Sequence, residues 1–152
     1  LEIQRLIGRS LRAVTDLTQL GEIQVRIDCD VIQADGGTRT AAITGGYVAL
    51  YQALAHLVEL GMLEAIPLLG QVAGVSAGLW QDAAILDLDY AEDSSAQADA
   101  NFVLTDQGAI VEIQATAEDQ AFSEEQLHAM LILAKKGIGE LVEMQKAATV
   151  TA

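Results

Sequence analysis

The chain has 152 residues, a formal net charge of −14, 51% hydrophobic residues and 4% aromatic residues, which suits one domain with an aliphatic core. Its single cysteine, Cys29, excludes an intramolecular disulfide and a multi-cysteine zinc site. The charge argues against nonspecific coating of DNA. No apolar run approaches the length of a membrane span and the N-terminus does not resemble a signal peptide, so we expect a soluble intracellular protein.

The first predicted element is an amphipathic helix over residues 1–18. It has no N-cap, and Leu1 looks like the interior of an element, so we expect the chain to lack an N-terminal part of its fold. Within this helix Arg5, Arg9 and Arg12 follow i, i+4, i+7 spacing and form one stripe. Such a stripe is either a solvated helix face or, beside an anion site, a track for a polyanionic chain.

The next segment, residues 22–33, alternates strictly between apolar and polar side chains and predicts a half-buried strand. The pattern places Cys29 on the inward side, as a small core residue rather than a nucleophile. A helix is predicted from about Thr38 to Leu60, with small residues in its first turns and Gly61 after its end.

The strand and the helix are joined through two glycines, and this junction predicts an anion site. Gly36 and Gly37 allow a tight turn, and the free N–H groups of the following helical turn face whatever lies at the helix mouth. Thr38 adds a hydroxyl, and Arg39 adds a planar cationic group suited to phosphate. We therefore interpret the junction as a pocket for a substrate phosphate.

The second half of the chain predicts two hairpins and a final helix. Strands are expected at residues 71–80, 83–90, 100–105 and 109–116, with an acidic loop at 91–99. The last helix begins with a capping box formed by Ser123 and Gln126 and runs to about Ala148. The order α-β-α-β-β-β-β-α indicates a single α+β domain with helices on one face of the sheet.

An acidic run between residues 87 and 99 is the second candidate for chemistry. Its carboxylates, among them Asp93 and Asp99, are oxygen ligands of the kind that Mg²⁺ or Mn²⁺ prefers, although a solvated acidic loop has the same composition. In residues 111–118, Gln114, Thr116 and Glu118 at a strand end could orient a substrate or equally close the sheet. His56 and His128 have no partner in the sequence and are interpreted as core or surface residues.

Taken in order, residues 3–7, 28–40, 70–73, 86–95 and 114–118 strongly resemble ribonuclease PH. The match includes the specific motif Asp-Gly-Gly-Thr-Arg-Thr at residues 35–40 and spans essentially the whole chain. The resemblance implies a domain like the second domain of a small-subunit ribosomal protein, with a mixed sheet, over residues 1–152. It also implies that this chain corresponds to the C-terminal portion of the family.

The resemblance further implies a cytoplasmic, phosphate-dependent 3′→5′ exoribonuclease that trims tRNA precursors and other structured RNA 3′ ends. Gly37, Thr38 and Arg39 would bind inorganic phosphate as the co-substrate. Asp93 and Asp99, with Arg39, would be catalytic, and the two carboxylates would hold Mg²⁺ or Mn²⁺ or act as general acid and base. The arginine stripe of residues 5, 9 and 12 would bind RNA, and the subunits would form a homohexameric ring, a trimer of dimers, without membrane contact.

Two other classes stay open. The chain could be a noncatalytic RNA-binding or scaffold subunit of a similar ring, or a stand-alone phosphate-binding domain. The joint presence of Arg39, Asp93 and Asp99 favours the enzyme.

Overall fold

The computed structural model describes residues 1–150, and the fold is α+β, as predicted. The elements run along the chain in the following order: α1 (Glu2–Ala13), α2 (Leu17–Leu20), α3 (Thr38–Glu59), β1 (Val72–Trp80), β2 (Ala83–Leu86), α4 (Tyr90–Ser95), β3 (Ala98–Thr105), β4 (Ile110–Ala117) and α5 (Glu124–Val150). The predicted first helix is therefore shorter than expected, and the other long helices and both hairpins are confirmed.

The four strands form one sheet in the order β2-β1-β3-β4, and every neighbouring pair is antiparallel. The expected mixed sheet is wrong. Short turns join β1 to β2 and β3 to β4, and such turns can only connect antiparallel strands. The remaining neighbours, β1 and β3, are also antiparallel. The first turn holds Gln81 and Asp82 at φ 50° and 62°, the left-handed pair of a two-residue hairpin. The second turn contains Gly108 at φ 77°.

Helices cover both faces of this sheet, so the prediction of helices on one face is wrong. Alternate residues of β1 and β3 pack against α5, while the intervening Val72 and Val103 pack against α1 and α3. The α5 side contains Ala73, Val75, Ala77, Leu79, Phe102, Leu104, Met130, Ala134, Ile138 and Val142. Because β1 is buried on both faces, its sequence is a run of small and apolar residues rather than an alternation.

The segment of residues 22–33 corrects a second prediction. Its alternation is real, since Ile23, Val25 and Ile27 are half-buried and their neighbours are exposed. Nevertheless, within residues 1–150 the segment pairs with no strand and is extended without being part of a sheet. An alternation of apolar and polar residues indicates only which side of a segment is buried. A β-strand also needs backbone hydrogen bonds to a neighbouring strand. Cys29 is exposed, so its assignment to the core is wrong.

Two features of the helices also differ from the sequence analysis. Residues 91–99 were expected to be a loop, but α4 occupies the first half of that range and β3 begins at Ala98. The helix α3 is long and apolar enough, by length and composition, to cross a membrane, contrary to expectation. Some of the apolar residues of α3 belong to the core: Ile43, Leu50 and Leu54 are buried in the cluster shared with α1 and the sheet.

A buried glutamine joins the C-terminal helix to the rest of the fold. The Gln145 side chain is 2% exposed, and its Nε2 donates to the carbonyl oxygens of Thr44 and Val72, each at 3.0 Å. Its Oε1 accepts from Nε2 of Gln71 at 3.3 Å. The Gln145 side chain thus hydrogen-bonds α5 to both α3 and β1. These two elements carry parts of the candidate site.

We expect Gln145→Leu, which nearly preserves volume, to lower the free energy of unfolding by about 1–3 kcal/mol, because it leaves buried carbonyl groups without their donor. Urea unfolding followed by circular dichroism measures this change. Met144→Ala, at an exposed neighbouring position, is the matched control and is expected to change stability by about 0.5 kcal/mol or less. Equal stability of the Gln145→Leu variant and the unsubstituted protein would contradict the role of this hydrogen-bond network.

Candidate active site

The loop at residues 35–37 lies directly on the backbone that leads into α4. A Cβ atom added to Gly36 would be 2.0 Å from the carbonyl oxygen of Leu88, so only glycine fits there. Gly37 has φ 74° and ψ 25° and is the N-cap of α3, a left-handed conformation that glycine adopts readily. The two glycines are therefore needed for different reasons, the first for close packing and the second for backbone conformation.

A single carboxylate fastens this loop to α4. Oδ1 of Asp35 accepts hydrogen bonds from the backbone N–H of Gly36 at 2.9 Å and from that of Tyr90 at 2.7 Å. From below, the hydroxyl of the buried Ser76 on β1 accepts from the backbone N–H of Leu88 at 3.2 Å. The loop, the start of α4 and β1 therefore form one connected unit.

The helix α4 is short, but its beginning is well defined. Asp89 accepts from the backbone N–H of Glu92 at 2.8 Å, and the Glu92 side chain accepts from that of Asp89 at 3.0 Å, which is a capping box. The sequence contains this Asp-x-x-Glu signal, so the helix was detectable before the structure. The capping box holds the helix that carries Asp93.

The sequence-predicted phosphate and carboxylate residues meet at one polar pocket of about 490 Å³. Its lining comes from the loop and first turn of α3, from α4, from the sheet and from the start of α1. The lining residues that the sequence analysis had assigned are Gly37, Thr38, Arg39, Asp93 and Asp99. The pocket is also lined by Gln114, Thr116 and Glu118, which the sequence analysis left open between orienting a substrate and closing the sheet. Those not assigned to the site include Glu2, Asp35, Ser76, Tyr90 and Asn101.

The sheet side of the pocket follows from strand register. On β3, Asp99 is opposite Gly78 of β1 and Thr116 of β4, and Asn101 is opposite Ser76 and Gln114. Because side chains two residues apart share a face, these polar groups all point away from α5. The sequence shows them as polar interruptions at alternate positions in apolar strands, which was a usable signal for Asn101.

The fit of a divalent cation depends on Asp93 and Asp99. Within residues 1–150 no three His, Cys, Asp or Glu side chains form a group that could hold a metal ion. Mg²⁺, however, is commonly bound by one or two carboxylates together with water and substrate phosphates rather than by a complete protein cage. Two carboxylates beside an anion site are compatible with that manner of binding.

Arg39, the cationic group of the pocket, is already paired. Its Nη1 is 2.8 Å from Oε1 of Glu2, and Nε2 of Gln114 donates to the same oxygen at 3.3 Å. The guanidinium side chain is 38% exposed and the carboxylate side chain 62%. Glu2 was not assigned a role in the sequence analysis, because the contact joins residues 37 positions apart.

The arginine stripe lies outside the pocket. Arg5, Arg9 and Arg12 are all exposed on α1, on the side that also carries Glu2. Arg9 pairs with Glu112 of β4, whereas Arg5 and Arg12 form no ion pair within residues 1–150. The stripe thus runs from the mouth of the pocket along α1. His56 and His128 are exposed and line no part of the pocket.

We expect Gly36→Ala to lower the free energy of unfolding by about 1–3 kcal/mol, because its Cβ would overlap the Leu88 carbonyl. Gly45→Ala is the matched control: a Cβ there meets no atom within 4 Å, and in a helix it should add about 1 kcal/mol. Thermal and urea unfolding compare the two variants. A stable Gly36→Ala protein would show that the loop does not pack on residues 88–90.

Comparisons with known proteins show which family the chain resembles. The chain matches the models of the 3′ exoribonuclease family, domain 1 over residues 1–55 and domain 2 over residues 70–137. Over 147 residues, 97% of the chain, it is 68% identical to a Ribonuclease PH of Rhodospirillum rubrum and 61% identical to one of Methylocella silvestris. The chain spans 61% and 62% of the lengths of these curated relatives.

A solved structure is similar in fold. The chain superimposes on the crystal structure of rice (Oryza sativa) Rrp46 with a TM-score of 0.69 and 18% sequence identity. The similarity covers 97% of this chain and 64% of the rice chain. At that identity the similarity concerns the fold.

Proposed function

Because the chain belongs to the 3′ exoribonuclease family, we propose that the protein is a phosphate-dependent 3′→5′ exoribonuclease that trims tRNA precursors and other structured RNA 3′ ends. The observation that carries the proposal is the pocket, where the anion-binding turn of Gly37, Thr38 and Arg39 meets Asp93 and Asp99. The high identity to proteins named Ribonuclease PH supports the same reaction.

Phosphate would bind at the mouth of α3. The N–H groups of the first helical turn have no intrahelical acceptor, and Gly37 lacks a side chain that would block the approach. The Thr38 hydroxyl and the Arg39 guanidinium supply further donors, and the guanidinium can contact two phosphate oxygens at once. Phosphate held there would be positioned as a nucleophile toward the last phosphodiester of the RNA.

In the reaction, an oxygen of inorganic phosphate bonds to the phosphorus of the terminal linkage. The bond from that phosphorus to the 3′ oxygen of the preceding nucleotide breaks, releasing a nucleoside 5′-diphosphate and a shortened RNA. The 3′ oxygen must gain a proton, for which Asp93 or Asp99 is the proposed donor among the acidic side chains that line the pocket. The reverse reaction uses the same groups and adds nucleotides to the RNA.

In the alternative role, Asp93 and Asp99 as ionised carboxylates would hold Mg²⁺ or Mn²⁺. When bound, such an ion supplies positive charge beside the phosphoryl oxygens. The protein's own contribution is then mainly positioning and charge compensation: Arg39 and the helix mouth offset the charge of two anions that would otherwise repel each other.

The RNA would approach along the arginine stripe. Arg5, Arg9 and Arg12 provide a local track of positive charge on α1 in a chain of net charge −14. Local contacts of this kind suit a polyanion better than the net charge suggests, because screening limits charge interactions to about 10 Å at 0.1 M salt. We propose a cytoplasmic homohexameric ring, a trimer of dimers, in which several such tracks are present; the resemblance to ribonuclease PH supports this assembly.

Replacing the proposed catalytic carboxylate tests the enzymatic function. We expect Asp93→Asn in the protein to reduce phosphorolysis of a 3′-extended tRNA at least about 100-fold, because the neutral amide can neither release a proton nor balance a cation. Release of nucleoside diphosphate in the presence of phosphate and Mg²⁺ is the measurement. Asp119→Asn, at an exposed position outside the pocket, is the matched control. Undiminished activity of Asp93→Asn would favour the noncatalytic ring subunit.

Salt dependence tests the RNA track. We expect Arg5→Ala to weaken binding of a 3′-extended tRNA and to reduce the slope of log Kd against log salt by about 0.7–0.9, the contribution of one phosphate contact. Lys136→Ala, on α5 across the sheet, is the control and should leave the slope unchanged. An unchanged slope for Arg5→Ala would show that Arg5 contacts no RNA phosphate and belongs only to a solvated helix face.

A further inference from the structure

The carboxylate of Glu2 occupies the place in the pocket where an anionic ligand of Arg39 would bind. It accepts from Arg39 and from Gln114 at one and the same oxygen, Oε1, at 2.8 and 3.3 Å. Two donors from α3 and β4 therefore converge on a single negatively charged oxygen. A phosphate oxygen has the same charge character and accepts from the same donors, so the carboxylate imitates the ligand that the pocket is proposed to bind.

The ion pair between Glu2 and Arg39 is weak enough for an anionic ligand to displace it. The Glu2 side chain is 62% exposed. Ion pairs between exposed side chains are weak, because water and salt screen both partners. Arg39 is the less exposed partner, and the loop at residues 35–37 fixes the start of its helix. When an anion arrives, the carboxylate is therefore the partner that moves.

We propose that Glu2 is a positioning residue that serves as the resident counter-ion of Arg39, and that inorganic phosphate displaces it on binding. This inference rests on the proposed function, because it takes phosphate to be the ligand of the pocket. In the absence of phosphate, the ion pair keeps the guanidinium pointing into the pocket. On binding, the same two donors pass to phosphate, so Gln114 becomes a further phosphate-binding residue. Glu2 thus lowers the affinity for phosphate, because it competes for Arg39. In the absence of phosphate, it holds the Arg39 guanidinium in place.

The test compares two charge-neutralising variants of the protein. Glu118 lines the same pocket and forms no side-chain ion pair within residues 1–150, so Glu118→Gln removes one negative charge from the pocket without freeing Arg39. Titration with inorganic phosphate, followed by ³¹P NMR or calorimetry, gives Kd for each. We expect Glu2→Gln to lower Kd for phosphate about three- to fivefold, the worth of one exposed ion pair, and Glu118→Gln to lower it less.

Kinetics distinguish displacement from a structural role. For Glu2→Gln, we expect KM for phosphate to fall together with Kd, while kcat changes less, because the carboxylate has left Arg39 before phosphate attacks. Thermal unfolding should stay near that of the unsubstituted protein, since the Glu2 side chain is mostly exposed. Weaker phosphate binding by Glu2→Gln, or equal effects of Glu2→Gln and Glu118→Gln, would overturn the inference.

The result also separates this inference from the proposed function. If the protein binds phosphate, tighter after Glu2→Gln, but releases no nucleoside diphosphate from RNA, the counter-ion role stands and the exoribonuclease is wrong. If phosphorolysis is robust and Glu2→Gln leaves KM for phosphate unchanged, the exoribonuclease stands and the counter-ion role is wrong. Absence of phosphate binding by the unsubstituted protein would overturn both.

Discussion

The packing of the glycine loop against the backbone of residues 88–90 is the contact on which the site depends. It is possible only because Gly36 has no Cβ, and the Asp35 carboxylate holds it by accepting N–H groups from both sides. The loop starts α3, and the segment below starts α4. A shift at this contact would therefore move the phosphate side of the pocket away from the carboxylate side. The distance between the start of α3 and the start of α4 is set here by backbone packing.

The sheet forms the base of the pocket, and the two faces of the sheet have different roles. The face toward α5 is apolar and anchors the fold. The other face is apolar where it meets α1 and α3 but carries Ser76, Asn101 and Asp99 where those helices leave it uncovered. Polar side chains can be placed there without loss of core because the opposite face is already filled. Gln145 connects the two faces of the sheet, since its amide joins α5 to the first strand and to α3.

Charge in this protein is arranged locally. A chain with 22 acidic and 8 basic residues would repel RNA and phosphate if its charge were evenly spread. Instead, Arg39 lies at the helix mouth, where the helix dipole also favours an anion, and three other arginines share one side of α1. Glu2 stands between them, at the mouth of the pocket. Its ion pair with Arg39 balances the charge of the guanidinium, and its side chain is mostly exposed.

Local patterns in the sequence predicted much of the site. The glycine pair followed by Thr38 and Arg39 indicated an anion-binding turn because these residues act within one stretch of chain, and the capping signal at Asp89 marked α4, although it was overlooked. The acidic run between residues 87 and 99 indicated carboxylate ligands, and the resemblance to ribonuclease PH singled out Asp93 and Asp99 within it. That they share a pocket with the turn was an expectation from family resemblance, which the structure supports with a common lining.

By itself, then, the sequence determined the long helices α3 and α5, both hairpins and the tight turn at residues 35–37, since each depends on neighbours a few residues apart. Tertiary structure alone decided which face of the sheet each helix covers, that residues 22–33 pair with no strand within residues 1–150, and that Glu2 and Gln114 meet Arg39. Alternation of apolar residues gives a buried side but not a hydrogen-bonding neighbour. Contacts between residues 37 or 112 positions apart exist only after the chain has packed, so no local pattern encodes them.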